Sequence, residues 1–503
     1  MTKEKIATQP NTIPSGNVLM IQPRYVHATP EFETDASPYL PLSLIYAGAL
    51  LEQKENTRVT YNDCQLHDLS DRCDLQTFDN FGITVMGAQN IASAARTYTQ
   101  LLQSGIPAQK TYFGGQGIED LTKEEFTKLF PNANLVTRET LTTASNYYGV
   151  DLSSQLTKFS SEDLQRYYSG EITLPFSQGC KYSCTFCGAQ TTQREKFFEV
   201  GKHYTAIAKS AKQVGVTILK AYATSLDFFQ QASSKGNVAL LESKLKELIV
   251  AQAQTGIGLQ FRFLTRADSY MDATKNFSLM DLAKKAGVYQ CGFGADGAAN
   301  ISLLRAMKKG TTNLRSSLID AFGDVESRGW TPEMLYVFGI EADNSQTLDE
   351  TFQFCTELLE TFPHSIYRGF PAKDNIPGNA NWLRQSWKET PQYQVLMSNP
   401  RNFLNLGFET LANSISHADI NKRKLVNKCA IKMSETAHKL GRVQSYLTIP
   451  PMQVDGNELM DSDSFEGFRG IISIYEPQLA KQMTLENLPQ LREKINTRIP
   501  KDK

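Results

Sequence analysis

Short apolar runs alternate with helical patterns along two stretches of this chain, and that rhythm limits the fold more than any other feature. NVLMIQP (17–23), RVTYND (58–63), FGITVMG (81–87), KTYFGG (110–115) and ANLVTRE (133–139) read as five strands. Between them, LPLSLIYAGALLEQ, NIASAARTYTQLLQSG and TKEEFTKLF carry apolar residues at helical spacing. Strands separated by helices are joined by crossovers rather than hairpins, so they pair in parallel. An α/β domain with an open, Rossmann-like parallel sheet is therefore expected over 15–149.

The polar stretch 150–170 reads as a linker with a short helix. From 171 the alternation resumes with ITLPFSQ, VTILKAYA, LQFRFLTR, YQCGFGA, MLYVFGI and SIYRGF, separated by patterns such as NVALLESKLKELIVAQAQ and QTLDETFQFCTELLE. Six successive βα units predict a partial, TIM-like barrel over 171–372, with its chemistry at the carboxyl ends of the strands. The rhythm then stops. Residues 373–503 read as a mostly helical C-terminal region that shapes a substrate pocket.

Directly after the first strand of the second run, LPFSQGCKYSCTFCGAQ holds Cys180, Cys184 and Cys187, three of the eight cysteines. The others, Cys64, Cys73, Cys291, Cys355 and Cys429, are scattered singly. A disulfide framework suits short secreted chains, and MTKEKIATQPNTIPSGN has no apolar signal core. No run approaches the roughly 20 apolar residues that cross a bilayer, so a reducing cytoplasm is the expected compartment. A net charge of -1 gives no electrostatic footprint for nucleic acid or an anionic membrane. Three readings of the clustered thiols stand. A structural zinc site needs a fourth ligand, here a distant Cys291 or His203. Three inert buried thiols are the second reading. A four-iron, four-sulfur cluster on three thiolates is the third, and it leaves one iron open to a further ligand.

Cys180-x3-Cys184-x2-Cys187, with the aromatic Phe186 before the last cysteine, resembles the radical S-adenosylmethionine motif. The resemblance implies a [4Fe-4S] cluster whose open iron is chelated by S-adenosylmethionine, and an electron donor such as flavodoxin or ferredoxin. It further implies cleavage to a 5'-deoxyadenosyl radical that takes hydrogen from substrate. The match extends over most of 171–370. FRFLTRADSYMD resembles the segment after the family's third strand, which makes Arg266 the candidate partner of the S-adenosylmethionine carboxylate. KKAGVYQCGFGADGAANISLLRAMKKGTT resembles the region of the fourth strand, with Gly294-Ala295-Asp296-Gly297 in place of G-x-E-S. Phe186, Gly294 and Asp296 are thereby assigned to S-adenosylmethionine as well. In YATSLDFFQQ, a single Asp227 precedes Phe228 where relatives often have two aspartates.

The first domain narrows the resemblance. SPYLPLSLIYAGALLEQ is similar to the P-P-L-G-L-x-Y-L-A-x-x-L-E segment of cobalamin-binding domains fused ahead of radical S-adenosylmethionine domains, and TYFGGQG to their strand–Gly–Gly turn. Cobalamin is implied between the first domain and the barrel, against Leu40, Met86, Gly87, Gln89, Gly114, Gly115 and Gln116. Glycines there let backbone approach a phosphate or nucleotide tail. D-x-H-x-x-G is absent from the sequence, which implies a lower corrin face that is open or guarded by residues near Met86 to Gln89. The implied activity is methylation of an unactivated carbon, or of a phosphinate phosphorus, in a small metabolite or peptide. No residue is marked as catalytic. Radical rearrangement, ring contraction or cyclisation with cobalamin not carrying methyl requires the same cofactors. A zinc-stabilised binding module is the non-enzymatic alternative.

Overall fold

The first five strands pair in parallel in the order β2-β1-β3-β4-β5, as the crossover argument requires. They are β1 (Gly16–Gln22), β2 (Thr57–Asp63), β3 (Asn80–Thr84), β4 (Thr111–Gly114) and β5 (Asn134–Val136), interleaved with α1 (Leu42–Leu51), α2 (Asn90–Gln103) and α3 (Lys123–Leu129). The computed structural model describes residues 14–24, 39–69, 74–88, 90–119, 121–137, 147–182, 184–185, 187, 195–233, 236–309, 314–340, 342–371, 377, 382, 384–400, 402–403, 420–442, 453–454, 458–459, 469, 477–484 and 486–487. They fall into two compact units, one formed by 1–159, 373–418 and 449–498, the other by 160–372, 419–448 and 499–503. Among the described residues no helix is long and apolar enough to cross a membrane.

In the first unit, side chains alternate across the sheet with a period of two. Leu19, Ile21, Phe81, Ile83 and Phe113 point into a core built with α2 and α3, which Trp382, Trp387 and Leu396 of the later segment also join. Val18, Met20 and Val59 point to the other face, where Leu44 and Leu51 of α1 cover them. Helix α1 packs on β1 and β2. Farther along that face, Tyr112, Gly114 and Val136 stay half-buried. The strand order reverses between β1 and β3, the kind of switch point at which open α/β sheets take ligands beyond their carboxyl ends.

The second unit contains α4 (Ser161–Tyr168), β6 (Glu171–Pro175), β7 (Ser177–Gln178), β8 (Lys196–Phe197), α5 (Val200–Gln213), β9 (Ile218–Thr224), α6 (Val238–Thr255), β10 (Gly258–Thr265), α7 (Ala267–Thr274) and α8 (Phe277–Ala286). It continues with β11 (Val288–Gly294), α9 (Ile301–Ala306), α10 (Leu314–Ser327), β12 (Thr331–Phe338), α11 (Ser345–Thr361), β13 (Ile366–Pro371) and α12 (Ile420–Lys439). Strands β6-β9-β10-β11-β12-β13 pair in parallel and in sequence order. Sequential order with right-handed crossovers brings every helix to one side of the sheet and leaves the other as a lumen. Local signals set the helix ends. Asn276 accepts from Leu279 N to start α8, and Gly287 ends it at φ +105, where a Cβ would strike the Leu259 carbonyl.

The helix-facing side is aromatic, with Phe228 and Phe263 stacked 4.1 Å apart. The lumen side carries a polar series to which all six strands contribute, with charges from β6, β10, β12 and β13. Arg262 on β10 donates to both oxygens of Glu171 on β6, at 2.6 and 2.8 Å, and lies 4.6 Å from the Tyr222 ring centroid on β9. Gln290 on β11 donates to Glu333 on β12 at 2.6 Å. Arg368 on β13 sits 2.7 Å from the other Glu333 oxygen, in an ionic contact without hydrogen-bond alignment. Arg262 Nη1 lies 3.7 Å from Glu333 and closes the series.

Candidate functional site

The three clustered cysteines follow β6 at the carboxyl end of the second sheet. Strand β7 pairs antiparallel with β8, so a two-residue ribbon joins the ends of the segment that carries them. Gly179 turns the chain out of β7 at φ +104. Farther on, Thr185 N donates to the Met307 carbonyl at 3.0 Å, and Cys187 N to the Cys184 carbonyl at 3.2 Å. All three thiols are partly buried.

Cations gather beside them. Burial pushes the Cys184 thiol pKa up, while Arg266 and Lys309 pull it down. Burial also pushes Cys180 up to about 11; the Tyr182 backbone N–H lowers it, and Asp227 and the other two thiols raise it further. Arg266 caps β10, stacks 4.0 Å from the Tyr182 ring centroid and forks onto Asp268 at 2.9 and 2.8 Å. Its Nη2 also donates to the Lys309 carbonyl at 2.6 Å, whereas Nη1 is buried with no hydrogen-bond partner among the described residues. Such an orphaned donor costs free energy unless a ligand atom meets it.

Asp227 is fully buried and holds this corner together. It accepts from Thr265 Oγ1 at 2.7 Å, Ser269 Oγ at 2.7 Å and Arg266 N at 3.1 Å, so it joins the loop after β9 to the start of α7. Desolvation raises its pKa against those three bonds. Asp296 is committed as well: Lys309 Nζ donates to one oxygen at 2.9 Å and Val337 N to the other at 2.6 Å. Lys309 also reaches the Gly294 carbonyl at 2.5 Å. Gly294 and Asp296 thus belong to a buried Lys309 network that braces the β11 turn.

Among the described residues no three Cys, His, Asp or Glu side chains converge as a ready metal cage. Cys291 lies beside Tyr270 and Asp324, and His203 is buried near Phe198, so neither completes a zinc set with the loop. The donor chemistry fits a cluster held by thiolates: three thiols share one loop, and Arg266 and Lys309 lower the Cys184 pKa against burial.

The first unit holds a cavity of about 220 Å³ over the half-buried face of its sheet. Gly82 and Gly114 form part of its lining, with Met20, Tyr112 and Val136 from neighbouring strands and Ser43 and Tyr46 from α1. Met86, Gly115 and Gln116 line it from the loops after β3 and β4. Met86 is 43% exposed and accepts from Ser43 Oγ at 3.1 Å. The glycines differ in role. Gly115 takes φ +116, and a Cβ there or on Gly117 would run into the backbone of Val85 or Gly87. These two let the loops after β3 and β4 zip together. Gly114 has room, since its Cβ would meet nothing nearer than the Val136 carbonyl at 3.4 Å. Its missing side chain leaves volume to the cavity.

Of the residues assigned to cobalamin, Met86, Gly114, Gly115 and Gln116 come together at this cavity. Leu40 is buried ahead of α1 and Gly87 supports the loop packing; neither is a lining residue. Gln89, like Phe186 of the cysteine loop, lies outside the described residues. Sequence reasoning passed over Tyr182, Asp268 and Lys309. A tyrosine inside the cysteine motif and a lysine after the fourth-strand turn were the available signals.

No protein-family profile and no curated protein matches the chain. Among solved structures it is similar to the radical S-adenosylmethionine methyltransferase TsrM from Kitasatospora setae with tryptophan substrate and a S-adenosylmethionine analogue bound. The TM-score is 0.52 at 14% identity, covering 71% of this chain and 73% of that one. TsrM with cobalamin and a [4Fe-4S] cluster gives 0.48 at 15% identity, covering 71% and 75%. The cobalamin-dependent S-adenosylmethionine radical enzyme OxsB gives 0.49 at 16% identity, covering 68% and 52%. The likeness to TsrM is one of fold: a mixed α/β chain with two parallel sheets.

Proposed function

We propose that this chain is a cobalamin-dependent radical S-adenosylmethionine enzyme that methylates an unactivated carbon, or a phosphinate phosphorus, of a small metabolite or peptide. The observation that carries this reading is the loop of Cys180, Cys184 and Cys187 at the carboxyl end of the first strand of a sequentially ordered six-strand parallel sheet, beside Arg266 and Lys309. The tryptophan substrate named for TsrM supports a small molecule rather than a macromolecule. When bound, the cluster with S-adenosylmethionine supplies hydrogen abstraction from substrate, and cobalamin supplies the methyl group.

The chain's own residues do the rest. Cys180, Cys184 and Cys187 hold the cluster as thiolates. Arg266, fixed by Asp268 and Tyr182, would hold the S-adenosylmethionine carboxylate through its unpartnered Nη1. The Asp296–Lys309 pair keeps the β11 turn in place, and Lys309 with Arg266 favours the Cys184 thiolate. In the first unit, a space of about 220 Å³ is below the usual range of whole-ligand pockets, so it takes the flat base of the nucleotide tail rather than a macrocycle.

Anaerobic reconstitution with iron and sulfide, in the presence of hydroxocobalamin, tests the reading. The wild type should bind iron with visible charge-transfer absorbance and retain corrin at near-equal stoichiometry. Cys184→Ala should lose the cluster, whereas Cys64→Ala, Cys355→Ala and Cys429→Ala keep it. A full cluster in Cys184→Ala would sink the cluster assignment, and a folded, iron-loaded protein without corrin would remove cobalamin from the reading. Methylation should release S-adenosylhomocysteine and 5'-deoxyadenosine in equal amounts; rearrangement or cyclisation would give 5'-deoxyadenosine alone.

A further inference from the structure

We infer that Gln230 and Gln231, on the 3-10 turn Gln230–Ala232 after β9, are positioning residues that clamp the cysteine loop and fix the direction of Cys180. The buried Gln230 amide reads the backbone on both sides of that cysteine. Its Nε2 donates to the Gly179 carbonyl at 3.1 Å, and its Oε1 accepts from Lys181 N at 3.3 Å. The Lys181 side chain returns to the same turn, with Nζ 3.3 Å from the Gln230 carbonyl and 2.7 Å from Ser233 Oγ. One amide pairing both polar groups that flank Cys180 leaves its Cα–Cβ bond little freedom.

Gln231 grips the other end of the segment. Its Nε2 donates to Glu195 Oε2 at 2.7 Å, and its Oε1 accepts from Asn237 N at 2.8 Å. The other Glu195 oxygen accepts from Ser177 Oγ at 2.6 Å, so the carboxylate bridges the strand that enters the segment and the turn after β9. Glu195 and Gln230 are more than nine-tenths buried, and the Glu195 oxygens accept from a neutral amide and a hydroxyl. Polar groups buried this deeply are paired with few alternatives, so the arrangement has one geometry. Adjacent glutamines thus hold the two ends of the segment that carries the thiols. The clamp does not depend on the function proposed above; its role in placing an iron ligand does.

The test separates the two. Iron-free protein under reducing, anaerobic conditions is treated with N-ethylmaleimide, and each cysteine is followed by peptide mass spectrometry. In Gln230→Met, which keeps length and loses both bonds, labelling of Cys180 should accelerate by about tenfold, with Cys184 and Cys187 nearly unchanged. Cys291 and Cys355, fully buried in the fold, report on integrity by staying unlabelled. If Gln230→Met exposes them, Gln230→Asn replaces it, because its amide stops one methylene short of both partners. An unchanged Cys180 rate, or equal acceleration of all three loop cysteines, overturns the clamp. In the second arm, reconstituted Gln230→Met should show reduced iron and an altered electron paramagnetic resonance spectrum of the reduced cluster. Wild-type iron content and spectrum would overturn the positioning role. A wild type that takes up no iron would instead sink the proposed function, and the labelling result would still decide the clamp.

Discussion

Both units build a parallel sheet, and they differ in how one face is filled: in the first unit α2 and α3 cover one face while α1 covers only part of the other. The rest of that face is small and apolar, with Met20, Gly82, Tyr112 and Gly114 bordering a cavity. In the second unit the lumen face is closed by its own charges, from Glu171 through Arg262 and Glu333 to Arg368. Missing side-chain volume leaves contacts for a ligand to make. An alternating acid–base series is neutral and its charges compensate one another, so it acts as a wall. The series fills the sheet face below the carboxyl ends, where the cysteine loop sits.

Breaking the wall should have the largest effect. Glu333 is fully buried and pairs with Gln290 and two arginines. Glu333→Ala leaves the half-buried Arg368 without its carboxylate and Arg262 with Glu171 alone, and should cost about 3 kcal/mol, read from urea unfolding. A loss below about 1 kcal/mol would mean that water screens the series and that it closes nothing.

A matched pair of glycines tests the same contrast at smaller scale. Gly292 lies on the lumen face of β11, where a Cβ would collide with Leu264 and approach Leu335 to 2.9 Å. Gly292→Val should therefore lose about 1–3 kcal/mol by overpacking. Gly114→Val meets no neighbour closer than 3.4 Å in its first added atom and should change stability by only about 0.5 kcal/mol. It should instead reduce corrin retention, because its methyls enter the cavity. Equal destabilisation of the two variants would erase the distinction between a filled face and a receptive one.

The sequence revealed one side of this contrast better than the other. All eleven parallel strands among the described residues were legible, because period-two and helical patterns are local properties of the chain. The cysteine loop was legible for the same reason, since its three thiols and the strand before them are contiguous. The charge series was not. Glu171, Arg262, Glu333 and Arg368 meet only through the register of strands separated by whole helices, and no local pattern encodes that register. Gln230 and Gln231 were hidden likewise, because their partners Gly179, Lys181 and Glu195 are 36 to 51 residues away. The stretch after 372 read as one region. In the structure its Trp382–Phe403 portion packs in the first unit and α12 in the second, a division set by which apolar face each piece covers.

The last test concerns a buried charge that the first unit does keep, on the side of its sheet that α3 covers. Glu125 on α3 accepts from Thr122 N at 2.7 Å in a capping box, from Tyr393 OH at 2.7 Å, and pairs with Lys388 Nζ at 2.9 Å. Burial alone would raise its pKa; hydrogen bonds from Lys388, Tyr393 and Thr122 outweigh that and lower it. A carboxylate held below its unfolded value stabilises the fold above the ordinary glutamate range near about 4.3, and the contribution is lost as pH falls through the folded value. Glu125→Gln keeps one acceptor oxygen, for the Thr122 cap, puts an amide nitrogen opposite Tyr393 OH and removes the charge facing Lys388. It should cost about 1 kcal/mol at pH 7, with the difference from wild type shrinking as urea unfolding is repeated toward pH 3. A pH-independent difference would assign the loss to packing of the Trp382–Tyr393 segment. A shrinking one shows that the first unit uses charge to fasten a late segment onto its covered side and leaves its open face apolar.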